Sequence, residues 1–314
     1  MLKAKVLAIV GPTAVGKSAL SLALAQKLNG EIISGDSLQV YRHLDIGTAK
    51  VTAAEQALVP HYLIDICAVS EAYSAYDFKV AAQELIKTIT ARGHLPIIVG
   101  GTGMYLASLL KDFNLGGAGP IAPDRSRQAT IRADLAAAWT RQGAQALWQR
   151  LAEVDPLAAA TIPANNRQRV LRALEVIELT GQLFSAQPQR PEPYDAFVLG
   201  LTCARPLLYQ RIDQRVTEMV TAGLPAEAAW LFQQVGPEAQ AAKGIGYREW
   251  PPYLRQEASL DATVQQIQTD SRHYAKRQMT YFRHQFATHW YDLLAQPVRD
   301  RQMLDHDLDL WLND

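Results

Sequence analysis

The stretch Gly11-Pro12-Thr13-Ala14-Val15-Gly16-Lys17-Ser18 (GPTAVGKS, residues 11–18) is the strongest indication of the fold. It follows an apolar run at residues 5–10, which is typical of a buried strand, and it precedes apolar residues at helical spacing over 18–28. Glycines let such a loop turn its N–H groups inward, so that a phosphate lies at the positive end of the following helix. We expect residues 11–18 to bind a phosphate group, with Lys17 on its outer oxygens and Ser18 ligating Mg²⁺.

The region around this loop alternates between strand and helix patterns. Further strands are predicted at residues 31–34, 62–66 and 95–99, with an amphipathic helix at 77–92. Alternation of this kind favours a parallel sheet covered by helices. The predicted fold class is therefore α/β, with a P-loop NTPase-like core.

Two segments rich in Pro, Gly or Ala, residues 115–123 and 187–193, flank a block whose pattern is helical throughout. We predict a core of residues 1–118 and 194–314 with an all-helical insertion at 119–193. Beyond the insertion we expect a strand at 196–201, helices at 206–221 and 261–286, and a last strand at 288–293. The acidic tail after residue 300 is expected to be peripheral.

Composition excludes several classes of protein. Hydrophobic residues make up 48% of the 314 residues, and 31 Lys plus Arg balance 31 Asp plus Glu, so no global basic field directs the chain to nucleic acid. Cys67 and Cys203 are too few for a disulfide framework and are expected to be reduced, buried thiols. No apolar run approaches the length of a membrane span, and a cytoplasmic protein is expected.

An ordinary nucleotide hydrolase would also carry an acid at the end of an apolar strand to hold Mg²⁺. Residues 63–66 (LIDI) match that pattern poorly because Asp65 lies inside the apolar run, and the strand at 95–99 ends in Gly-Gly-Thr-Gly. A different acid, Asp36, lies just after the second strand, where an exposed turn residue is the alternative. The carboxyl ends of parallel strands face the ligand crevice, so Asp36 should lie near the phosphate loop and either hold Mg²⁺ or act as a general base.

Motifs along almost the whole chain resemble one family, the bacterial tRNA dimethylallyltransferases, also called tRNA isopentenyltransferases. The matching stretches include ISGDSLQVYRHLDIGTAK at 33–50, IIVGGTGMYL at 97–106, NNRQRVLRALEV at 165–176, KGIGYRE at 243–249 and YAKRQMTYFR at 274–283. The resemblance implies transfer of a dimethylallyl group from its diphosphate to N6 of the adenosine immediately 3′ of the anticodon (position 37). It implies tRNAs that read codons starting with U, a Mg²⁺ cofactor, and an insertion that grips the anticodon stem-loop; a monomer is expected.

The resemblance also implies roles for individual residues. Asp36 matches the catalytic acid and is the expected general base, while Thr102 is expected to contact the diphosphate or to orient Asp36. Arg215 resembles an arginine that contacts pyrophosphate, and Arg211 shares its helix face; a solvated surface pair beside Asp213 is the alternative.

The residues expected to bind tRNA fall in four groups. The last group is a stripe of basic residues on the long helix at 261–286, for which a solvated face is the alternative to tRNA contact. On the same helix, Tyr274, Tyr281 and Phe282 are expected in the core. The four groups are Asp36, Ser37, Leu38 and Gln39; Gln168, Arg169, Val170, Leu171 and Arg172; Lys243, Gly244, Ile245, Gly246, Tyr247 and Arg248; and Arg272, Lys276 and Arg283.

Two other functions stay open. An adenylate prenyltransferase that makes a free cytokinin would share the phosphate loop, but a free nucleotide does not need the helical insertion. A P-loop kinase or a nucleotide-dependent switch is disfavoured because the strand-end acid is missing. Whether ATP binds the loop is not decided by the sequence.

Overall fold

The computed structural model describes residues 3–113, 125–186 and 191–314. The chain divides into two compact units, one of Met1–Asp112 with Glu192–Asp314 and one of Phe113–Pro191. The predicted boundaries at 118/119 and 193/194 lie within a few residues of these. Most of the two linkers, residues 114–124 and 187–190, lies outside the described residues.

The first unit is built on a sheet of six parallel strands in the order β3-β2-β4-β1-β5-β6. Helices cover the sheet, as predicted for the α/β class. The strands are β1 (Lys5–Val10), β2 (Gly30–Ser34), β3 (His61–Tyr62), β4 (Leu95–Val99), β5 (Asp195–Leu201) and β6 (His289–Tyr291).

The helices of both units follow one another along the chain, and a short 3₁₀ turn spans Ala241–Lys243. They are α1 (Lys17–Lys27), α2 (Ala53–Leu58), α3 (Ala75–Ala91), α4 (Gly103–Leu110), α5 (Arg125–Val154), α6 (Pro156–Thr161), α7 (Arg167–Thr180), α8 (Arg205–Thr221), α9 (Leu224–Gln234), α10 (Pro251–Leu254), α11 (Leu260–Gln285) and α12 (Pro297–Asn313).

The register of the central strands brings three loops together. Val99 at the end of β4 pairs with Ile9 of β1 and with Ser34 of β2. The loops after β1, β2 and β4 therefore leave the same edge of the sheet side by side. β1 lies at the centre, with residues 6–10 fully buried, which explains its unbroken apolar run.

Two expectations about local structure are wrong. The third strand ends at Tyr62 rather than residue 66, because Leu63 and Asp65 adopt φ of 61° and 57°, which no strand tolerates. The acidic tail is not peripheral, since it forms α12, which buries Leu304 and Leu308 in the core.

The second unit is helical throughout its described residues, as predicted. α5 bends at Gly143, which has φ of 84°, and packs with α6 and α7 around a core that includes Leu147, Leu151, Val170 and Leu174. Across the described residues of both units, none of the helices combines the length and apolar character needed to span a membrane.

Candidate functional site

The loop between β1 and α1 has the shape of an anion cradle. Gly11 and Gly16 adopt φ of 141° and 108°, and Ala14 adopts 64°. At Gly11 a Cβ would lie 2.6 Å from the Leu201 carbonyl oxygen, so only glycine fits there. No side chain caps the N-terminus of α1, which leaves its first N–H groups available to an anion.

Lys17 is the cation at the centre of this loop. Its Nζ donates to the backbone oxygens of Gly11 at 3.1 Å and Pro12 at 2.7 Å. Burial, reinforced by the positive charge of Arg215, lowers the pKa of Lys17 to about 7, although Asp36 opposes the shift. An anion entering the loop would favour the charged form of this side chain.

The loop borders a cavity of about 590 Å³ (the loop cavity). The loops after β1, β2 and β4 and one face of α8 contribute to its wall. The polar groups that line it include Thr13, Lys17, Ser18, Asp36, Gln39, Thr48, Arg211 and Arg215.

Asp36 lies at the end of β2, as its position after the strand predicts. Its Oδ1 accepts from the N–H of Leu38 at 2.9 Å and of Gln39 at 3.4 Å. Within the described residues Oδ2 accepts no hydrogen bond. One oxygen thus fixes the carboxylate while the other is available to accept a proton.

Thr102 lies in the turn after β4 and contacts Ser37 rather than Asp36. Its Oγ1 accepts from the Ser37 N–H at 3.1 Å and donates to the Ser37 hydroxyl oxygen at 3.3 Å. The two turns approach so closely that a Cβ at Gly100 would lie 2.2 Å from the Gly35 oxygen. Of the two expected roles of Thr102, the geometry favours orienting the Asp36 segment.

Arg211 and Arg215 face the loop cavity from α8. Arg211 donates through Nε to the Ala14 oxygen at 2.8 Å, which fixes the phosphate loop. Arg215 is half-buried, and the desolvation lowers its pKa. The alternative of a solvated surface pair beside Asp213 is wrong, because Asp213 pairs with Arg272 instead.

A second cavity of about 390 Å³ (the side cavity) shares Thr13, Asp36 and Arg215 with the loop cavity. Its wall mixes aliphatic side chains with polar groups from α11. Tyr274, expected in the core, lines this cavity; burial raises its pKa to about 12, so the hydroxyl stays protonated. The aliphatic members are Leu38, Ile212, Val216, Met219, Ile245 and Ile267.

The segments 36–39 and 243–248 lie on the wall of the side cavity, apart from two residues. Gln39 accepts from the Ser34 hydroxyl and donates to the Thr48 oxygen, so it supports the wall. Tyr247 is fully buried and donates its hydroxyl to Glu227. The Tyr247 side chain is therefore not exposed, and contact of this residue with tRNA stays a prediction. Lys243 and Arg248 are exposed.

Only part of the predicted basic stripe on α11 (Arg272, Lys276 and Arg283) is free to contact tRNA. Arg272 is held by both carboxylate oxygens of Asp213, at 2.6 and 2.8 Å. Lys276 and Arg283 are exposed, and Arg283 lies 5.7 Å from the centre of the Trp290 ring. Phe282 is fully buried, as expected, and Tyr281 is half-buried.

In the second unit, the segment 168–172 lies on α7. Gln168 and Arg169 are exposed, and Leu171 is half-buried against the helical core. Arg172 pairs with the buried Glu175. The Val170 side chain is fully buried in that core, and contact of this residue with tRNA stays a prediction.

Two residues that sequence analysis missed hold the site together. Glu227 accepts hydrogen bonds from the N–H groups of residues 45–47 and from the Tyr247 hydroxyl. Gln278 joins Thr13 to Gly101. Both belong to amphipathic helices, where a polar residue is usually solvent-facing; the YAKRQMTYFR motif around Gln278 was the available signal.

The residues of the loop cavity fit Mg²⁺. Ser18 is exposed and shares the cavity with Asp36, and both offer the hard oxygen ligands that Mg²⁺ prefers. Within the described residues no group of three or more His, Cys, Asp or Glu side chains forms a metal cluster. A site with so few protein ligands suits an ion that is held mainly by substrate phosphates and water.

Comparison with known proteins gives a consistent answer. A family model described as IPP transferase matches residues 39–285. A curated relative from Latilactobacillus sakei, named tRNA dimethylallyltransferase, is 52% identical over 312 residues, which cover 99% of each chain.

Solved structures extend this similarity. A tRNA isopentenylpyrophosphate transferase from Bacillus halodurans is 44% identical with a TM-score of 0.72, over 98% of this chain and 96% of that one. A eukaryotic dimethylallyltransferase, described as acting on tRNA, is 29% identical with a TM-score of 0.80, over 96% of this chain and 77% of that one.

Proposed function

Because the chain belongs to the IPP transferase family, we propose that it is a tRNA dimethylallyltransferase. It transfers a dimethylallyl group from dimethylallyl diphosphate to N6 of the adenosine that follows the anticodon. The observation that carries this assignment is the meeting of two cavities at Asp36, one bordered by a phosphate loop and one lined by aliphatic side chains.

The diphosphate of the donor binds in the loop cavity. The N–H groups at the start of α1 and the charges of Lys17 and Arg215 compensate its negative charge. The same groups stabilise the additional charge that develops on the diphosphate as it leaves. Mg²⁺, with Ser18 as a protein ligand, would neutralise part of that charge.

The dimethylallyl group and the acceptor base meet at the junction with the side cavity. Its aliphatic side chains, among them Ile212 and Met219, suit a branched C5 group. The adenosine enters after leaving the stack of the anticodon loop, at a cost of a few kcal/mol that is smaller in a loop than in a duplex.

The reaction forms a carbon–nitrogen bond, breaks a carbon–oxygen bond and moves one proton. The N6 lone pair attacks C1 of the dimethylallyl group, and the C1–O bond breaks with its electron pair leaving on the diphosphate. Asp36 takes the proton from N6 through Oδ2, while the Leu38 and Gln39 N–H groups hold Oδ1. Thr102 positions this segment through Ser37.

The tRNA contacts outside the reaction centre come from exposed polar residues. In the first unit we assign this role to Lys243, Arg248, Lys276 and Arg283, and in the second unit to Gln168 and Arg169. The fully buried Val170 and Tyr247 support the segments that carry these residues.

The experiment that tests the function uses the purified protein, Mg²⁺, labelled dimethylallyl diphosphate and unmodified tRNA. Matched acceptors are the same tRNA with guanosine at position 37, which carries an oxygen in place of the N6 amine, and free AMP. We expect label only in the tRNA that carries the adenosine. Label in AMP alone would establish a cytokinin-type enzyme. Label in neither acceptor, together with consumption of ATP in a parallel reaction that contains it, would favour a kinase.

A further inference from the structure

The Gln278 side chain lies between the phosphate loop and the turn after β4. It is 5% exposed. Its Oε1 accepts from the Thr13 N–H at 2.9 Å, and its Nε2 donates to the Gly101 oxygen at 3.1 Å. A neutral amide supplies both an acceptor and a donor, which no charged side chain of this length does. A Cβ at Gly101 would lie 2.1 Å from Nε2, so the turn closes directly on this amide.

The same turn of α11 faces the outside of the protein. Tyr274, one turn earlier, lines the side cavity and donates its hydroxyl to the Gly101 oxygen at 3.4 Å. Lys276 and Arg277 are exposed, and Arg277 lines the side cavity with its guanidinium 5.7 Å from the centre of the Tyr274 ring. One helical turn therefore carries two exposed cations and the amide that holds the phosphate loop.

We propose that Gln278 is a positioning residue that couples RNA binding to diphosphate binding. RNA phosphates that fix Lys276 and Arg277 also fix the helical turn between residues 274 and 278. The Gln278 amide then holds the Thr13 N–H, and with it the phosphate loop, in the conformation that receives the diphosphate. This inference rests on the proposed function for the identity of its two ligands. Linkage requires the coupling to be reciprocal, so diphosphate must strengthen RNA binding by the same factor.

The coupling is measured by calorimetric titration of inorganic pyrophosphate, at fixed Mg²⁺, with and without saturating unmodified anticodon stem-loop RNA. In the wild-type protein we expect the RNA to lower the pyrophosphate Kd by about fivefold. In Gln278→Leu the Kd without RNA should rise by about tenfold, and the RNA should no longer change it. Gln265→Leu, at an exposed position of the same helix, is the matched control and should behave as the wild type.

Gln278→Glu separates positioning from a merely structural role. Glutamate keeps the acceptor for Thr13 but places a carboxylate against the Gly101 oxygen and beside the diphosphate, so this variant should bind pyrophosphate more weakly than Gln278→Leu. A structural role predicts the reverse order, because glutamate is the closer match in shape. Melting temperatures of both variants establish that they fold.

An unchanged pyrophosphate Kd in the wild-type protein with RNA would overturn the coupling, and that measurement needs no variant. If RNA still lowered the pyrophosphate Kd of the Gln278→Leu variant, the role of the amide would be overturned. Transfer of the dimethylallyl group by wild-type protein is assayed in parallel, so that a failure of the coupling is distinguished from a failure of the proposed function.

Discussion

The two ends of the parallel sheet both carry charged side chains, but these are ion-paired at the amino end, whereas two cations at the carboxyl end are not. At the amino end the buried Glu31 accepts hydrogen bonds from Arg92 and from the Tyr62 hydroxyl, and Lys5 pairs with Asp195 at 2.8 Å. Each of these charges has a partner of opposite sign. This end of the sheet is an ion-pair network that belongs to the folded state.

At the carboxyl end two cations of the loop cavity, Lys17 and Arg215, have no such partners. Lys17 donates only to backbone oxygens, and within the described part of the chain Arg215 forms no ion pair. Two desolvated cations in one cavity are unfavourable unless an anion joins them. Burial lowers the pKa of both, and a neighbouring positive charge adds to the shift, from Arg215 for Lys17 and from Arg211 for Arg215. The difference between the two ends is that the paired charges of Glu31, Arg92, Lys5 and Asp195 stabilise the fold, whereas the unpaired charges of Lys17 and Arg215 are available to a ligand.

The largest expected effect comes from Asp36→Asn. The amide keeps an acceptor for the Leu38 N–H but cannot take the proton from N6, so kcat should fall by about a thousandfold with KM values nearly unchanged. Steady-state transfer to tRNA measures this. Glu31→Gln, the matched change at the amino end, should keep kcat within about twofold. A near-normal kcat in Asp36→Asn would exclude this residue as the base.

Lys17→Ala should have the next largest effect. It removes a charge that faces the leaving diphosphate, so kcat/KM for the donor should fall by about a hundredfold. Lys5→Ala removes a charge of the same sign from the opposite end of the sheet and should leave kcat/KM unchanged. Equal losses in the two variants would contradict the distinction between the ends.

The pH dependence of pyrophosphate binding tests the unpaired state of Lys17. With a pKa of about 7, the side chain is charged below that pH and loses its charge above it. The ratio of wild-type to Lys17→Ala affinity should therefore fall as pH rises, by up to about tenfold for each unit above 7. Taking the ratio removes the ionisation of pyrophosphate itself. A ratio that stays constant from pH 6 to 9 would show that Lys17 stays charged.

The smallest effect on activity and the clearest effect on stability are expected from Glu31→Gln. This change leaves Arg92 without its charged partner, and the melting temperature should fall by about 5 °C. Thermal unfolding followed by circular dichroism measures it. Asp36→Asn should unfold near the wild-type temperature. A larger fall in melting temperature in Asp36→Asn than in Glu31→Gln would contradict the assignment of the amino end to stability and the carboxyl end to function.

The sequence predicts the carboxyl end of the sheet well because its signals are local. The phosphate loop, the position of Asp36 after β2 and the shared face of Arg211 and Arg215 all follow from spacing along a few residues. Family motifs predict contiguous segments, but side chains in a helix alternate between core and surface, which is why Val170 was assigned to tRNA and is buried.

Contacts between distant parts of the chain were not predictable in this way. Arg272 has the spacing of a solvent-facing stripe, yet its partner Asp213 lies on another helix, 59 residues away. Gln278 looks like a surface residue until the phosphate loop is placed beside it, 265 residues distant in sequence. The early end of β3 depends on positive φ at Leu63 and Asp65. Leu gives no turn signal, and the turn tendency of Asp65 is hidden inside an apolar run.

The sheet order also has a consequence for biosynthesis. β1 pairs on one side with β4 and on the other with β5, which begins at Asp195. At about 5–20 residues per second, roughly 10–40 s separate the synthesis of β1 from that of β5. During that interval β1, which is apolar from Val6 to Val10, has an open edge on the ribosome. A chaperone that shields this edge would act on the nascent chain before the helical unit is complete.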